Sequence, residues 1–321
     1  MSERKPGLPS IHQARDDRAR GKYSRTSGNM WLAAAGAIIA ALIGYRFLSG
    51  RELDLAKGAL LAKQRAVAGA LGPKWFPLRD RIEKLTLDAA AHFDGDHVDP
   101  ALQGWDYRSK PGLYLRLRVA EAKDTETLRH AATNSAKDAF VGCFLREPNT
   151  AAAKGQADAG AFAEQPWNWR HAYEATRILT DDWVAQVKDA GDPIRLRIFE
   201  QQYEKAAAEE IPLAVDIVAR ADFFLLVLDE DDAAARAEGG APPTEEALQE
   251  VPHFARVHLL DLRSGGKELL RLRRNAEASF VFAGEQPVSD PETLSAMKRQ
   301  VNNCALAKAV DAAARSVPLD R

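Results

Sequence analysis

The chain has 321 residues, of which 46% are hydrophobic and 28% are charged, and its formal net charge is −2. That hydrophobic content is enough for a packed core and excludes a globally disordered chain. Residues 1–29 carry seven basic and three acidic side chains, which leaves a net charge of −6 for residues 46–321. A mildly acidic body argues against nucleic acid as its main partner. The basic, proline-interrupted segment 1–29 is interpreted as a disordered tail.

Residues 30–48, read MWLAAAGAIIAALIGYRFL, predict a transmembrane helix that anchors the chain in a lipid bilayer. No charged residue occurs between Arg25 and Arg46, which leaves twenty uncharged residues in succession. At about 1.5 Å rise per residue they span about 30 Å, the thickness of a bilayer's hydrocarbon core.

The basic residues on either side of this run predict its orientation. Five Lys or Arg occur in the fifteen residues before Met30, and three occur in residues 46–60. Because the more basic flank stays in the cytoplasm, we expect a single-pass inner-membrane protein with its C-terminal region outside the cytoplasm. No small-residue cleavage site and no cysteine follow the run, which favours an uncleaved signal anchor over a secretory signal or a lipoprotein.

Small residues recur every four positions along the predicted span, at Gly36, Ala40 and Gly44. Small side chains at this spacing let two helices approach closely in lipid. The stripe therefore suggests a homodimer that pairs through this helix face, although small residues are frequent throughout the run.

Residues 49–73 predict an amphipathic linker helix that ends at Gly72-Pro73, because glycine and proline together are typical of a helix terminus. Residues 74–321 then form the soluble domain. Within it, the Ala/Gly-rich segment 147–166 is predicted to be a flexible loop.

Three runs in the domain predict β-strands. Apolar residues alternate with polar ones from Leu113 to Val119, which indicates a strand with one face in solvent. The continuous apolar runs Ala139–Leu145 and Asp222–Asp229 indicate strands that are buried on both faces, and the second is expected at the centre of the sheet.

Helix signals lie between and after these strands. Asp124 and Asp192 are expected to cap helices, and proline directly follows Asp192. The second cap lies in the turn of a predicted helical hairpin with arms at residues 170–188 and 193–210. Asp290-Pro291 predicts a last helix that runs to about Ser316.

The segment Phe254–Arg274 predicts a β-hairpin whose two-residue turn is Gly265-Gly266. That turn would place Arg263 opposite Glu268 and Leu259 opposite Leu272 and bury one apolar face, made of Val257, Leu259, Leu270 and Leu272. With roughly five strands, an antiparallel hairpin near the C-terminus and several packed helices, the domain is predicted to be α+β.

Candidate chemistry is sparse, and we predict neither catalytic residues nor a cofactor. A divalent metal could bind a polar segment whose carboxylates and imidazoles are close in sequence, but the segment does not match a calcium-binding loop and an exposed turn is the simpler explanation. Its members are His92, Asp94, Asp96, His97 and Asp99. Cys143 and Cys304 are a candidate disulfide if the domain lies outside the cytoplasm, and otherwise they are buried thiols.

Three other polar groups have simple structural explanations. The acids Asp229–Asp232 could hold magnesium, yet a buried strand also needs acids where it returns to water. His258 is expected to be a surface neighbour of Arg271 and Arg273 in the hairpin. Together with Arg274, these arginines could contact an anionic envelope polymer, or they are a solvated strand face.

We therefore predict a membrane-anchored protein that binds or scaffolds an envelope protein or polymer and is not an enzyme. Two alternatives remain open at this point. One is a membrane-tethered, metal-dependent hydrolase that uses the acids named above. The other is a signalling subunit that dimerises through its membrane helix.

Overall fold

A computed structural model describes residues 25–105, 109–135, 138–145, 166–236, 240, 242–277 and 290–315. At the start of the first helix, the side chains of residues 25–34, 36 and 40–49 are outside this description. Most of the tail 1–29 and nearly all of the predicted loop 147–166 also lie outside it. Within the described ranges the fold is mixed α+β, as the sequence predicts, with one six-stranded sheet and nine α-helices.

Helices and strands are mixed along the chain. Their bounds are α1 Arg25–Ala91, β1 His97–Val98, β2 Gly112–Arg118, α2 Thr125–Asn134, α3 Phe140–Leu145, β3 Trp167–Asn168, α4 Arg170–Thr176, α5 Asp181–Lys188, α6 Pro193–Lys205, α7 Ile211–Arg220, β4 Phe223–Asp229, α8 Glu245–Gln249, β5 Phe254–Asp261, β6 Lys267–Asn275 and α9 Pro291–Arg315.

The sheet has the strand order β1-β6-β5-β4-β2-β3, with β2 parallel to β3 and β4 and the other pairs antiparallel. Strand β4 is central and fully buried, which confirms its predicted place. Its side chains alternate between two cores. Phe224, Leu226 and Leu228 face the core beneath α1, α2, α4 and α7. The intervening side chains face α3 and α9.

Helix α1 has 67 residues and is about 100 Å long at the standard rise of about 1.5 Å per residue. The prediction that a helix ends at Gly72-Pro73 is wrong, because Pro73 and Pro77 lie inside α1. Trp75 and Ile82 are almost completely buried in the core, and this packing offsets the cost of a proline inside a helix.

The predicted span, residues 30–48, lies on α1, but most of its side chains, including those of Gly36, Ala40 and Gly44, lie outside the described set. Among the described side chains, no helical stretch combines the length and the apolarity that a bilayer crossing requires. Ile38 and Ile39, which are described, are exposed.

One predicted strand is a helix, and another is a strand whose predicted solvent face is buried. Ala139–Leu145 forms helix α3 rather than a strand, with Phe140, Val141 and Phe144 turned to the core. Strand β2 has no solvent-facing side, since α3 and α9 lie over its polar residues. Short apolar runs do not distinguish a buried strand from a buried helix.

The β5–β6 hairpin is present, but its predicted register is wrong. Leu259 pairs with Leu270, Asp261 pairs with Lys267, and an irregularity follows Leu259. Asp261 ends the strand early because its carboxylate accepts the backbone N–H of Arg263 and Ser264. The turn thus has five residues, with positive φ at both of its glycines. The apolar face predicted to be buried is buried, at Val257, Leu259, Leu270 and Leu272.

Several helix termini agree with their sequence signals. Asp124 accepts the N–H of Thr127, and Asp192 accepts the N–H of Arg195 with Pro193 at the first helical position. The first arm of the predicted helical hairpin is, however, divided at Thr180 into α4 and α5. Thr180 caps α5 and ends the preceding turn.

Gly112 marks a close approach between β2 and β4. A Cβ atom at this position would lie 2.1 Å from the ring of Phe223, which is buried. We expect Gly112→Ala to lower the free energy of unfolding in urea by about 1–3 kcal/mol through overpacking. Gly142→Ala is the control, because its Cβ would meet nothing within 4 Å and alanine favours the helix. Equal losses in both variants would contradict the prediction.

Candidate functional site

A group of buried charged side chains lies between the sheet and α9. Arg116 of β2 has no exposed surface, and its guanidinium donates to both carboxylate oxygens of Asp229 at 2.7 and 2.9 Å. Its remaining Nη1 donates to Oδ1 of Asn303 at 2.6 Å. The guanidinium group of Arg116 therefore connects strands β2 and β4 with helix α9.

His253 extends this group. Its Nε2 lies 3.0 Å from Oδ1 of Asp229, and its Nδ1 lies 2.8 Å from the carbonyl oxygen of Val251. Each ring nitrogen of His253 therefore faces an oxygen atom of a neighbouring residue. We refer to Arg116, Asp138, Asp229, His253 and Asn303 as the buried charge cluster.

Asp138 is the second carboxylate of the cluster. It lies 3.8 Å from Nη1 of Arg116 and accepts the hydroxyl of Tyr114 at 2.5 Å. Burial raises the pKa of Asp138. It also raises the pKa of the Tyr114 hydroxyl, well above its ordinary value. Burial acts on Asp229 in the same direction, but the charge of Arg116 and the hydrogen bond from His253 outweigh it and lower the pKa of Asp229 to about 2.

The buried charge cluster has the residue types of a catalytic site without access for a substrate. The side chains of Arg116, Asp229 and His253 are at most 1% exposed, and each is hydrogen-bonded within the protein. We therefore interpret the cluster as a structural element. The sequence predicts that Asp229 is exposed where β4 ends and the chain re-enters solvent. This prediction is wrong for Asp229, which is fully buried beside Arg116 and His253.

The residues predicted to bind metal do not converge on one point. Asp94 faces Arg271 at 3.4 Å, and Asp96 accepts the backbone N–H of Arg273 and contacts Arg274. Asp99 caps a short 3₁₀ turn and lies 2.6 Å from Lys267, while His92 and His97 are exposed. Across the described ranges, no three His, Cys, Asp or Glu side chains are grouped as metal ligands would be.

The other sequence candidates are all engaged by neighbours. His258 is 1% exposed, so its predicted surface position is wrong, and its Nδ1 lies 2.7 Å from Glu268. Glu230 pairs with Arg256 and Arg273, which leaves this arginine-rich strand face largely neutralised. Cys143 of α3 and Cys304 of α9 form a disulfide.

A cavity of about 480 Å³ opens between α4, α5 and the end of α6, a size typical of ligand sites. We call it the α4–α6 pocket. Its floor is apolar and includes Ile178, Trp183 and Ala206, all of them buried. Its rim is polar and includes His171 and Gln202. Charges of both signs come from Glu174, Arg177, Lys205 and Glu210.

Local backbone geometry supports a binding role for this pocket. Ala206–Glu210 form a π-helical turn between α6 and α7, and both of its end residues line the cavity. Such turns are rare and occur frequently at functional sites. The indole nitrogen of Trp183, also in the lining, is buried and has no acceptor. The lining residues include no Ser, Thr or Cys, so the pocket can bind a ligand but offers no hydroxyl or thiol nucleophile.

Hydrogen bonds to nearby residues shift the pKa values of two charged groups at the rim. Burial would raise the pKa of Glu174, but hydrogen bonds from Arg170 and His171 outweigh this and lower it. The hydrogen bond to Glu210, 2.6 Å away, raises the pKa of Lys205. Sequence patterns did not indicate the pocket, because its lining comes from two separate stretches, residues 167–183 and 202–213, and neither contains a recognisable motif.

Comparison with protein-family models, curated proteins and solved structures found no match for this chain.

Arg116→Leu should reveal the dependence of the fold on the buried charge cluster. It leaves two carboxylates buried without their main counter-charge, and we expect the free energy of unfolding at neutral pH to fall by about 3–5 kcal/mol. Arg315→Leu is the control, because Arg315 is half exposed and pairs with Asp311 one turn away on the same helix. Its loss should stay below about 1 kcal/mol. A small loss in Arg116→Leu would show that the cluster is dispensable.

The lowered pKa of Asp229 predicts a specific acid response. The stabilisation from its carboxylate is complete above its ordinary pKa of 3.8 and is lost as the pH falls towards about 2. In the folded protein, the side-chain carboxyl ¹³C resonance of Asp229 should therefore remain that of a carboxylate at pH 3. Titration of this resonance near pH 4 in the folded state would contradict the buried pairing.

Proposed function

We propose that this chain is a single-pass membrane-anchored binding module, with a non-enzymatic α+β domain that holds an envelope protein or polymer outside the cytoplasm. The lipid bilayer is its first partner, through residues 30–48. The ligand of the domain is proposed to bind in the α4–α6 pocket.

The continuity of α1 carries this proposal. The same helix that contains the uncharged run continues through Leu60, Trp75 and Ile82, all of which are buried in the domain. Gln64 and Glu83 on this helix are also buried, and Glu83 binds Arg129 of α2 at 2.7 and 2.8 Å. A domain joined in this way would be held at a set height above the membrane, which suits a module that positions a ligand.

The disulfide between Cys143 and Cys304 supports the extracytoplasmic side, because such bonds persist in oxidising compartments and are rare in the cytoplasm. The pocket supports binding over catalysis, since its floor is apolar and Lys205 and Glu210 of its rim pair with one another. The acids that a metal-dependent hydrolase would use, apart from Asp232, each face an arginine or a lysine, so we do not propose that activity. Dimerisation through Gly36, Ala40 and Gly44 stays a prediction.

The anchor can be tested in cells. We expect the full-length chain to sediment with membranes and to resist alkaline carbonate extraction, because a spanning helix is not removed by disrupting ionic contacts. A protease added outside the intact inner membrane should degrade the C-terminal domain and spare a cytoplasmic marker. A chain that stays in the supernatant of lysed cells without detergent would overturn the proposal. If the domain is protected from the protease, the domain lies on the cytoplasmic side and the proposed orientation is wrong.

The pocket can be tested with a photo-crosslinking amino acid in place of Gln202, which is exposed on the rim. We expect a discrete crosslinked product in intact cells, because a bound ligand would lie within reach of this side chain. The same amino acid at Lys123, exposed on another part of the surface, is the control. Identical products from both positions, or none from Gln202, would contradict binding in the pocket.

A further inference from the structure

The first two turns of α6 expose apolar surface that the core does not need. Ile194 is 76% exposed and Ile198 is 50% exposed, and their spacing of four residues places them on one face of the helix. The opposite face is accounted for, since Leu196 and Phe199 are buried against α1 and α5. The two large aliphatic side chains, one turn apart, form an apolar patch on the outer face of the helix. Such patches can mark a contact outside the domain.

Contacts with α1 fix the direction of the α5–α6 hairpin. Gln64 donates to the carbonyl oxygen of Ile178, just before α5, and Lys57 donates to that of Lys188, at the end of α5. Helix α5 therefore runs along α1 towards its N-terminus. Tyr203, near the end of α6, donates to the carbonyl oxygen of Lys63. The tip of the hairpin, residues 189–198, thus lies at the end nearest the predicted span.

The distance from this tip to the predicted span is short. Lys57 follows Leu48 by nine residues, which corresponds to about 14 Å along a helix axis. The turn lies beyond Lys188 in the direction of the span, which shortens this distance further. The headgroup region extends about 5–8 Å from each side of the hydrocarbon core. A moderate tilt of α1 brings the start of α6 to that depth.

The charges nearest to the isoleucines fit a lipid surface. Arg195 and Arg197 lie between the two isoleucines in sequence, no acidic residue occurs between Asp192 and Glu200, and the other acid of the tip is Asp189 at its start. The carboxylate of Asp192 is engaged in capping α6. Apolar side chains with adjacent arginines are typical of helices that lie in the interface of anionic membranes.

We propose that the tip of the α5–α6 hairpin is a second membrane contact, with Ile194 and Ile198 inserted among the headgroups of an anionic bilayer and Arg195 and Arg197 on the lipid phosphates. This inference rests on the proposed membrane anchor. With the tip on the surface, α1 cannot pivot freely, and the α4–α6 pocket at the other end of α6 is presented away from the bilayer.

The test uses the full-length chain in vesicles of phosphatidylcholine and phosphatidylglycerol. A fluorophore is placed on Ile194→Cys or Ile198→Cys, since both native cysteines are engaged in the disulfide. Leu213→Cys is the matched control, an exposed apolar position on α7 beside the pocket. Nitroxide-labelled lipid should quench the labels at 194 and 198 at least about twofold more strongly than the label at 213. Adding Arg195→Glu and Arg197→Glu should remove most of that difference.

The outcomes separate this inference from the anchor on which it rests. A chain that fails to float with the vesicles overturns the anchor itself. A chain that floats, with equal quenching at 194 and 213, overturns the second membrane contact alone. Self-quenching at 194 that grows with the ratio of protein to lipid, without quenching by the labelled lipid, would assign the face to a second copy of the chain and would also overturn the inference.

Discussion

A guanidinium group without access to water must find its acceptors inside the protein, and one face of the sheet is arranged around such a group. Arg116 takes both oxygens of Asp229 and the amide oxygen of Asn303. The first contact crosses from β2 to β4, and the second holds α9 over the sheet. Asn303 also donates to Gln249, which brings α8 to the same place. An unpaired charge at this depth would cost far more than a neutral polar group.

The opposite face of the sheet has a comparable arrangement at α1. Glu83 accepts two hydrogen bonds from Arg129 and one from the hydroxyl of Tyr173, at 2.7, 2.8 and 2.8 Å. Trp75 of the same helix stacks on Trp169, with ring centroids 5.6 Å apart. These contacts make the C-terminal part of α1 a part of the core. Leu60 and Gln64 show that the predicted linker, residues 49–73, also packs on the domain. Gly72-Pro73 does not interrupt the helix because the surrounding packing stabilises both sides.

Sequence patterns predicted the parts of the fold that depend on local physics. Caps at Asp124 and Asp192, the central strand β4, the hairpin segment and the last helix all follow from side-chain chemistry within a few residues. Failures occurred where distant segments decide the outcome. The polar alternation of β2 predicted a solvent face, but α3 and α9 bury that face because Arg116 finds its partners there. No local pattern signals a partner 187 residues away.

The same distinction explains what could be predicted of the sites. The acids of residues 92–99 were conspicuous because they are close in sequence, yet each of the three carboxylates contacts a basic residue of β6. The α4–α6 pocket was not conspicuous, because Trp167, Arg177, Gln202 and Leu213 come together only after the helices pack. A cation beside each acid disfavours a second cation, whereas an apolar floor beneath a polar rim is typical of sites for small ligands. The pocket therefore forms from helices that pack on α1, and α1 is also the helix that contains the uncharged run.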